Sequence, residues 1–203
     1  MVQLEKHWNA IFADKTDEQL GWYERDLQQT LKYVDALNLP VNASVFLPGA
    51  GTSGLADRLR ERDWKMVLND ISDQALKQLQ QRVDNSECEY LHHDMSQPLA
   101  HSYDVDLWID RAVLHFLLSD EQIKGYFNNL RQCVNPGGYV LLAEFAVGGA
   151  KKCAGLDICQ YTIEEMQERL GEEFELVAEE RYTFINPFDD KRPYVYGLFN
   201  RQS

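Results

Sequence analysis

The sequence lacks the features of proteins that act on membranes or on nucleic acids. Its 203 residues include 20 lysines and arginines against 33 aspartates and glutamates, a formal net charge of −13. A surface with this excess of negative charge is repelled by phosphate backbones and by anionic lipid. No apolar run approaches the length of a membrane span, and residues 1–10 lack a signal-peptide pattern. We therefore expect neither nucleic acid nor membrane among the partners.

Cysteine is also scarce, and its spacing does not match the common cysteine-based sites. The four residues Cys88, Cys133, Cys153 and Cys159 contain no Cys-x-x-Cys pair. Cysteines used in this way are typical of reduced thiols in a cytoplasmic protein, which is the location we expect. Structural metal sites need paired ligand spacings, so the sequence predicts no metal.

Apolar runs alternate with helical patterns along most of the chain, which predicts a largely parallel sheet covered on both faces. Strands are predicted near 43–48, 64–69, 87–92, 104–110 and 138–145, and helices near 53–62, 72–83, 119–133 and 162–170.

The two ends of the chain depart from this alternation. Residues 8–37 carry apolar side chains at helical spacing and predict one short and one longer helix, which Asn38 and Pro40 end. In the tail, 174–181 and 194–200 predict two strands without a helix between them. Strands joined in this way pair antiparallel, so the tail adds an antiparallel strand to the sheet.

One segment points to a ligand. The apolar run 43–47 is followed by the glycine turn 49–51 and then by Gly54, in the pattern Gly-x-Gly-x-x-Gly. Glycines remove the Cβ atoms that would collide with a nucleotide-like ligand. Asp70 ends the next apolar run, about 20 residues further on, where an acid holds the two ribose hydroxyls. The two signals predict an adenosine-containing cofactor and leave NAD, FAD and S-adenosylmethionine open.

From about Trp8 to Asn200 the chain resembles the class I S-adenosylmethionine-dependent methyltransferases. The motifs that carry the resemblance are Gly49-Ala50-Gly51, Asn69-Asp70-Ile71-Ser72, His93-Asp94-Met95, Asp106-Leu107-Trp108-Ile109-Asp110-Arg111 and Asn135-Pro136-Gly137-Gly138. The resemblance implies an α/β fold: a Rossmann-like seven-stranded sheet, mostly parallel, with an antiparallel last strand and helices on both faces. It also implies S-adenosylmethionine as cofactor, S-adenosylhomocysteine as product, and no metal.

The resemblance also assigns residues to parts of the cofactor. The turn 49–51 would lie under the methionine part, Asp70 at the ribose and Asp94 at the adenine amino group. Further contacts would come from the neighbours of these motifs, from the strand end beside the reacting methyl, and from an N-terminal aromatic segment: Ile71, Met95, Asp110, Arg111, Trp8 and Trp22. Residues 1–40 would then form a helical cap over the core 41–203 of a single domain, 1–203.

The nearest branch of the family resembles the thiopurine- and tellurite-type methyltransferases. Leu47-Pro48 before the glycine turn and the pair Asp110-Arg111 are similar to that branch. Many class I enzymes carry an acid where this chain has Leu47, so one polar contact to the methionine end is missing or replaced. The Asn-Pro-Pro-Tyr type motif of nucleic-acid amino methyltransferases is absent, which disfavours methylation of bases.

No catalytic residue is certain from the sequence. Methyl transfer is an in-line displacement with a neutral leaving group, so a base is needed only for a poorly ionised acceptor. The candidates are His115, Tyr161 and Arg111, each of which has a purely structural alternative. The loop after Phe145, with Lys151 and Lys152, is placed to be a substrate lid or a plain solvated loop.

Three functions remain open at this stage. The favoured one is methylation of a small molecule, with a thiol or another soft nucleophile as acceptor, by a monomer or weak homodimer. The second is methylation of a lysine on a specific protein. The third is a regulatory protein that binds an adenosine cofactor without turnover, and a dehydrogenase is the weakest alternative beside these three.

Overall fold

The computed structural model describes residues 2–83 and 86–202. The strands are β1 (Ser44–Leu47), β2 (Lys65–Asp70), β3 (Cys88–His92), β4 (Val105–Arg111), β5 (Val134–Phe145), β6 (Lys152–Cys153), β7 (Leu156–Asp157), β8 (Phe174–Ile185) and β9 (Lys191–Arg201). The helices are α1 (Val2–Asp14), α2 (Gln28–Ala36), α3 (Leu55–Arg60), α4 (Asp73–Arg82), α5 (Asp120–Cys133) and α6 (Ile163–Leu170).

The main sheet has seven strands in the order β3-β2-β1-β4-β5-β9-β8. Strands β1 to β5 pair in parallel, and β9 pairs antiparallel with both β5 and β8. The predicted fold class is therefore confirmed, including the antiparallel last strand. Because β1 and β4 are neighbours while the chain winds outward from each, the switch point for a ligand lies at their carboxyl ends.

Each central strand is buried on both faces because alternate side chains enter two different cores. On β4, Leu107 and Ile109 join the core on one face, and Trp108 joins the core on the other. The Trp108 ring stacks on Phe46 of β1 at 4.3 Å, and its Nε1 donates to the Tyr126 hydroxyl of α5 at 2.9 Å. These contacts hold β1, β4 and α5 together below the site.

The starts of three helices follow from N-cap chemistry. The side chains of Ser72, Ser119 and Thr162 each accept the free N–H of the third residue in α4, α5 and α6. Hydroxyl caps of this kind satisfy donors that have no partner within the helix. The predicted helix starts at 72, 119 and 162 therefore lie within one residue of the observed ones.

Two features of the second half differ from the prediction. Strand β5 begins at Val134, because the turn 135–138 forms a bulge that shifts the pairing between Val105 and Leu107 of β4. The loop after β5 contains a short hairpin, β6–β7, that the sequence pattern does not predict. Both features depend on pairing with a distant or very short segment, which periodicity does not show.

Gly125 of α5 allows the loop after β3 to approach the helix. A Cβ on Gly125 would lie 2.1 Å from the backbone oxygen of Ser96. Asn129, one turn later, donates to the backbone oxygens of Met95 and Gln97 and accepts the N–H of Leu99. Helix α5 therefore determines where the loop containing residues 94–96 lies.

Gly125→Ala tests this close approach. Alanine normally stabilises a helix relative to glycine by about 1 kcal/mol, whereas here we expect destabilisation by about 2 kcal/mol because helix and loop must separate. Urea unfolding measures the difference, with the exposed neighbour variant Lys124→Ala as control. A stabilised Gly125→Ala variant would show that the loop moves aside without cost.

Candidate cofactor and active site

A cavity opens at the carboxyl ends of β1, β2 and β4, at the predicted switch point. The strand ends and the loops that follow them form its floor, and the N-terminal segment covers it. Among the lining residues are Leu4, Trp8, Phe12, Trp22, Glu24, Leu47, Gly49, Ala50, Gly51, Asp70, Ile71, His93, Asp94, Met95, Arg111, Val113, Phe116 and Cys153. Most of the predicted cofactor residues are thus brought together in one place.

The glycine turn is packed too closely for side chains. Gly49 and Gly51 have φ angles of +54° and +52°, a region that favours glycine. A Cβ on Gly49 would lie 2.2 Å from Cγ2 of Val113, and one on Gly51 would lie 3.3 Å from the ring of Phe12. The turn is therefore a backbone surface between the β4 loop and α1.

Asp70 connects the glycine turn to the start of α4. Its Oδ2 accepts the N–H of Gly51 at 2.9 Å, and its Oδ1 accepts the N–H of Ser72 at 2.8 Å. Burial raises the pKa of Asp70 to about 6, and the N–H groups of Ser72 and Gly51 act in the opposite direction. The carboxyl is therefore ionised at neutral pH and keeps lone pairs for a further donor.

Asp94 and its neighbours form the end of the cavity below β3. The Asp94 carboxylate accepts the N–H of Ser96 at 2.9 Å, which closes a tight turn. Met95 is buried, and Ile71 and His93 complete this part of the wall. Asp70 at the end of β2 and Asp94 after β3 thus share one end of the cavity.

The N-terminal segment covers the cavity with aromatic rings. Trp8 makes edge contacts with Trp22 at 5.5 Å and with Phe116 at 4.9 Å, and Phe12 contacts Trp22 at 6.1 Å. Helix α1 is anchored to α4, because Gln78 donates to the backbone oxygen of Phe12 at 2.8 Å. The predicted aromatic segment is therefore placed over the glycine turn.

The β6–β7 hairpin lies against the other side of α1. A ring nitrogen of His7 lies 3.1 Å from the backbone oxygen of Ala154, and Leu156 packs among the α1 aromatic side chains. Cys153 lines the cavity, and burial raises the pKa of its thiol to about 11. Lys151 and Lys152 are exposed, so they lie outside the cavity wall.

Arg111 joins the end of β4 to the covering segment. Its Nε lies 3.0 Å from Oε1 of Glu24, and its Nη1 donates to the backbone oxygen of Trp22 at 3.1 Å. The guanidinium also packs over the rings of Phe184 and Tyr194, at 4.7 and 5.2 Å. Its position is therefore held from four sides.

Three predicted site residues lie beneath the wall and not on the cavity lining. Asp110 is fully buried and accepts the N–H groups of Val113 and Leu114 and the hydroxyl of Tyr126, at 3.0, 3.1 and 2.5 Å. His115 and Tyr161 are buried as well. The structure corrects the expected direct contacts: Asp110 holds the turn that forms the wall, because its oxygens are occupied by that turn and by α5.

His115 is paired with a second buried acid, Glu144 of β5. Oε2 of Glu144 lies 2.6 Å from Nδ1 of His115 and accepts the backbone N–H of the same residue at 3.2 Å. Burial raises the pKa of Glu144 to about 8 and lowers that of His115 to about 3. The imidazole is therefore neutral. The pair fixes the backbone turn 113–115, which forms part of the cavity wall, from beneath.

Several lining residues were not predicted as site residues. Phe12 lies one helical turn after Trp8, so the spacing was a usable signal. Glu24, Phe116 and Cys153 have no such signal, because they reach the cavity only through the packing of distant segments. Among residues 2–83 and 86–202, no group of three or more His, Cys, Asp and Glu side chains could hold a metal ion.

Comparison with known proteins agrees with this geometry. Residues 48–140 match the protein family described as "Methyltransferase domain". The match includes the glycine turn, both acids at the cavity end, and Arg111. No curated protein sequence matches the chain.

Solved structures share the fold over nearly the whole chain at low sequence identity. One is the Burkholderia thailandensis 1,6-didemethyltoxoflavin-N1-methyltransferase with bound 1,6-didemethyltoxoflavin and S-adenosylhomocysteine (TM-score 0.69, 16% identity, 100% of this chain and 85% of that chain). Another is the N-methyltransferase NodS from Bradyrhizobium japonicum with S-adenosylhomocysteine (0.69, 13%, 97% and 100%). A third comes from the complex between the Haloferax volcanii Trm112 methyltransferase activator and the putative methyltransferase (0.77, 14%, 97% and 98%).

Residues 48–140 thus match a methyltransferase domain, and the chain shares its fold with the solved methyltransferase structures. Its sheet order and its antiparallel β9 agree with that assignment. None of the helices in the described part of the chain is both long and apolar enough to cross a membrane. The cytoplasmic location, the oligomeric state and the thiopurine- or tellurite-type branch stay predictions.

Gly49→Ala tests the glycine turn of this methyltransferase domain. The new methyl group meets Val113 and a backbone conformation that disfavours alanine, so we expect binding of S-adenosylhomocysteine to be lost, with destabilisation by about 2 kcal/mol. Calorimetric titration and urea unfolding measure the two effects. Gly21→Ala is the control, because a Cβ there meets open space. Unchanged affinity in Gly49→Ala would contradict a ligand at the turn.

Glu144→Gln tests the buried acid. The folded protein keeps a proton on Glu144 up to about pH 8, whereas the unfolded chain releases it near its ordinary pKa of 4.5. The resulting stabilisation is complete below pH 4.5 and is lost as the pH rises towards 8. We therefore expect the wild type to lose about 2–4 kcal/mol relative to Glu144→Gln between pH 5 and pH 8.

Urea unfolding across that pH range measures the difference. Glu175→Gln, the same change at an exposed position on β8, should give a pH curve parallel to that of the wild type. Parallel curves for wild type and Glu144→Gln would show that Glu144 ionises normally in the fold.

Proposed function

We propose that the protein transfers the methyl group of S-adenosylmethionine to a small molecule whose acceptor atom is a thiol or another soft nucleophile. The observation that carries this proposal is one covered cavity that combines a glycine turn, two acids at one end and an aromatic cover. A donor with an adenosine and an amino-acid end needs these features, and a covered cavity favours a compact acceptor.

The residues present fit the cofactor. The turn Gly49-Ala50-Gly51 lines the cavity, and a turn built from glycines lets a ligand approach the backbone closely. In this proposal Asp70 would accept the ribose hydroxyls and Asp94 the adenine amino group, with Ile71 and Met95 beside the base; all four line the cavity. Arg111 lines the cavity and carries the positive charge that a carboxylate would need. Trp8 and Trp22 complete the cover.

The cofactor supplies a methyl group on a positively charged sulfur. The chain has to orient the acceptor and exclude water, and the rings of Trp8, Trp22 and Phe116 are placed to do both. Flat aromatic faces also suit a sulfonium cation. Residues 1–40 thus act as a cap over the core 41–203, in one functional domain.

The candidate bases support a soft acceptor. His115 and Tyr161 are buried beneath the wall, and burial raises the pKa of Tyr161 far above its ordinary value. Neither side chain reaches the cavity lining to take a proton from a poorly acidic acceptor. A thiol, with an ordinary pKa of about 8.5, is already partly ionised near neutral pH, so it depends less on such a base.

The cover favours a small molecule over a lysine on a folded protein. Helix α1 and the β6–β7 hairpin meet through His7 and Ala154 above the cavity. A protein substrate would have to displace one of them to insert a lysine. The toxoflavin methyltransferase, whose fold is similar, holds a small heterocycle together with the product of the cofactor.

Asp70→Asn tests the proposed cofactor site. Loss of the ribose acceptor should raise the Kd for S-adenosylhomocysteine by about tenfold or more, because hydrogen bonds to an ionised group are strong. Asp73→Asn is the matched control, since Asp73 is paired with Lys77 on the surface of α4. Equal affinities in the two variants would remove Asp70 from the site.

Labelled S-adenosylmethionine with size-fractionated cell extract tests the acceptor. We expect label in the small-molecule fraction for the wild type and a strongly reduced amount for Asp70→Asn. Label on a single protein band would favour the lysine hypothesis. Tight binding of S-adenosylhomocysteine with no label in any fraction would favour the regulatory one.

A further inference from the structure

Arg82, the last residue of α4, lies outside the cavity and binds backbone that follows the glycine turn. Its Nη2 donates to the backbone oxygens of Thr52 and Ser53, both at 2.9 Å. Its Nε donates to Oδ1 of Asp57, in the first turn of α3, at 3.2 Å. Thr52 and Ser53 line the cavity, whereas Arg82 does not. The guanidinium therefore holds the glycine loop from its outer side.

The same guanidinium contacts the segment that covers the cavity. Its Nη1 lies 3.4 Å from Oδ2 of Asp17, and the Thr52 hydroxyl donates to Oδ1 of the same carboxylate. Asp17 begins a single helical turn, 17–19, and its backbone oxygen accepts the N–H of Leu20 at 3.0 Å. Leu20 is buried and lines the cavity. The position of Asp17 therefore determines where this part of the cover lies.

Helix α4 is attached to the N-terminal segment at three successive levels. The Ser72 hydroxyl donates to Oδ1 of Asn9 at 2.6 Å. The Gln78 amide donates to the backbone oxygen of Phe12 at 2.8 Å. These two attachments hold α1 itself. The third, at Arg82, joins the chain after α1 to the glycine loop as well, so it connects three parts of the molecule.

The contacts of Arg82 are more than those of a surface ion pair. Isolated exposed pairs contribute little, because solvent screens them and two long side chains must be ordered. Arg82 instead uses a planar fork that meets two backbone oxygens and two carboxylates, and such a fork loses little freedom for each bond it forms. Without its charge, Asp17 and Asp57 would lie close together as like charges. Loss of Arg82 is therefore expected to push the cover away from the loop.

We propose that Arg82 is a positioning residue that couples closure of the N-terminal cover to the glycine turn. Arg82 does not line the cavity, so it acts through the cover at Asp17 and through the two backbone oxygens after the turn. The inference rests on the proposed function, in which S-adenosylhomocysteine has to leave past the cover after each turnover. The rate of that release then depends on the contact between Arg82 and Asp17.

Asp17→Asn and Asp57→Asn form a matched pair that tests the coupling. Both acids contact the Arg82 guanidinium and are similarly exposed, at 32% and 31%, but only the first belongs to the cover. We expect Asp17→Asn to speed release of S-adenosylhomocysteine by about threefold, and Asp57→Asn to leave the rate unchanged. Stopped-flow tryptophan fluorescence measures the release rate, because Trp8 and Trp22 lie in the cover.

Substitution of Arg82 itself tests the fork. Arg82→Gln loses the charge and both arms, so we expect release to be about tenfold faster. Combined with Asp17→Asn, it should give less than the product of the two single effects, because both remove one shared contact. Arg82→Lys keeps the charge without the fork and should release at an intermediate rate. Lys77→Gln is the control, since Lys77 pairs with Asp73 on the surface of the same helix.

The matched pair decides the outcome even if the Arg82 variants fail to fold. Equal release rates in Asp17→Asn and Asp57→Asn would show that Arg82 only stabilises the fold, and the coupling is overturned. Trypsin cleavage after the exposed Lys15 reports opening of the cover without any ligand, and it should be faster in Asp17→Asn than in Asp57→Asn. A wild type that binds no S-adenosylhomocysteine overturns the proposed function, and equal cleavage rates then overturn the coupling as well.

Discussion

The site depends on two buried carboxyl groups that hold one turn of backbone. Asp110 and Glu144 accept the N–H groups of Val113, Leu114 and His115, which follow one another directly after β4. Unpaired N–H groups at this depth would be costly, so the turn has one stable position. That position brings Val113 against the glycine turn and Phe116 against the N-terminal cover.

Charged groups are distributed unevenly around the cavity. Two acids lie at the ends of β2 and β3, and the ion pair between Glu24 and Arg111 lies at the end of β4. In a chain with a formal net charge of −13, a buried arginine at the switch point is a local exception to the overall charge. A ligand with hydroxyl and amino donors at one end and a charged group at the other matches this arrangement.

Much of the fold could be predicted from the sequence because the signals are local. Period-two and period-3.6 patterns predicted the strands and helices of the core, and the structure shows serine or threonine caps at three of the helix starts. The glycine turn and Asp70 share a recognisable spacing, whereas Asp94 was assigned through the family resemblance. The β6–β7 hairpin was not predicted, because a two-residue strand has no periodicity to detect. The sequence analysis predicted that Asp110 contacts the ligand. In the structure its carboxylate oxygens accept the N–H groups of Val113 and Leu114.

The sequence by itself determined the order of strands and helices along the chain and the residues at the strand ends, because each depends on neighbours a few positions apart. Only the tertiary structure decided which distant side chains share the cavity. Glu24 meets Arg111 across 87 positions of chain, and His7 meets the backbone of Ala154 across the cover. Such pairs arise from the packing of whole elements, which no local pattern encodes.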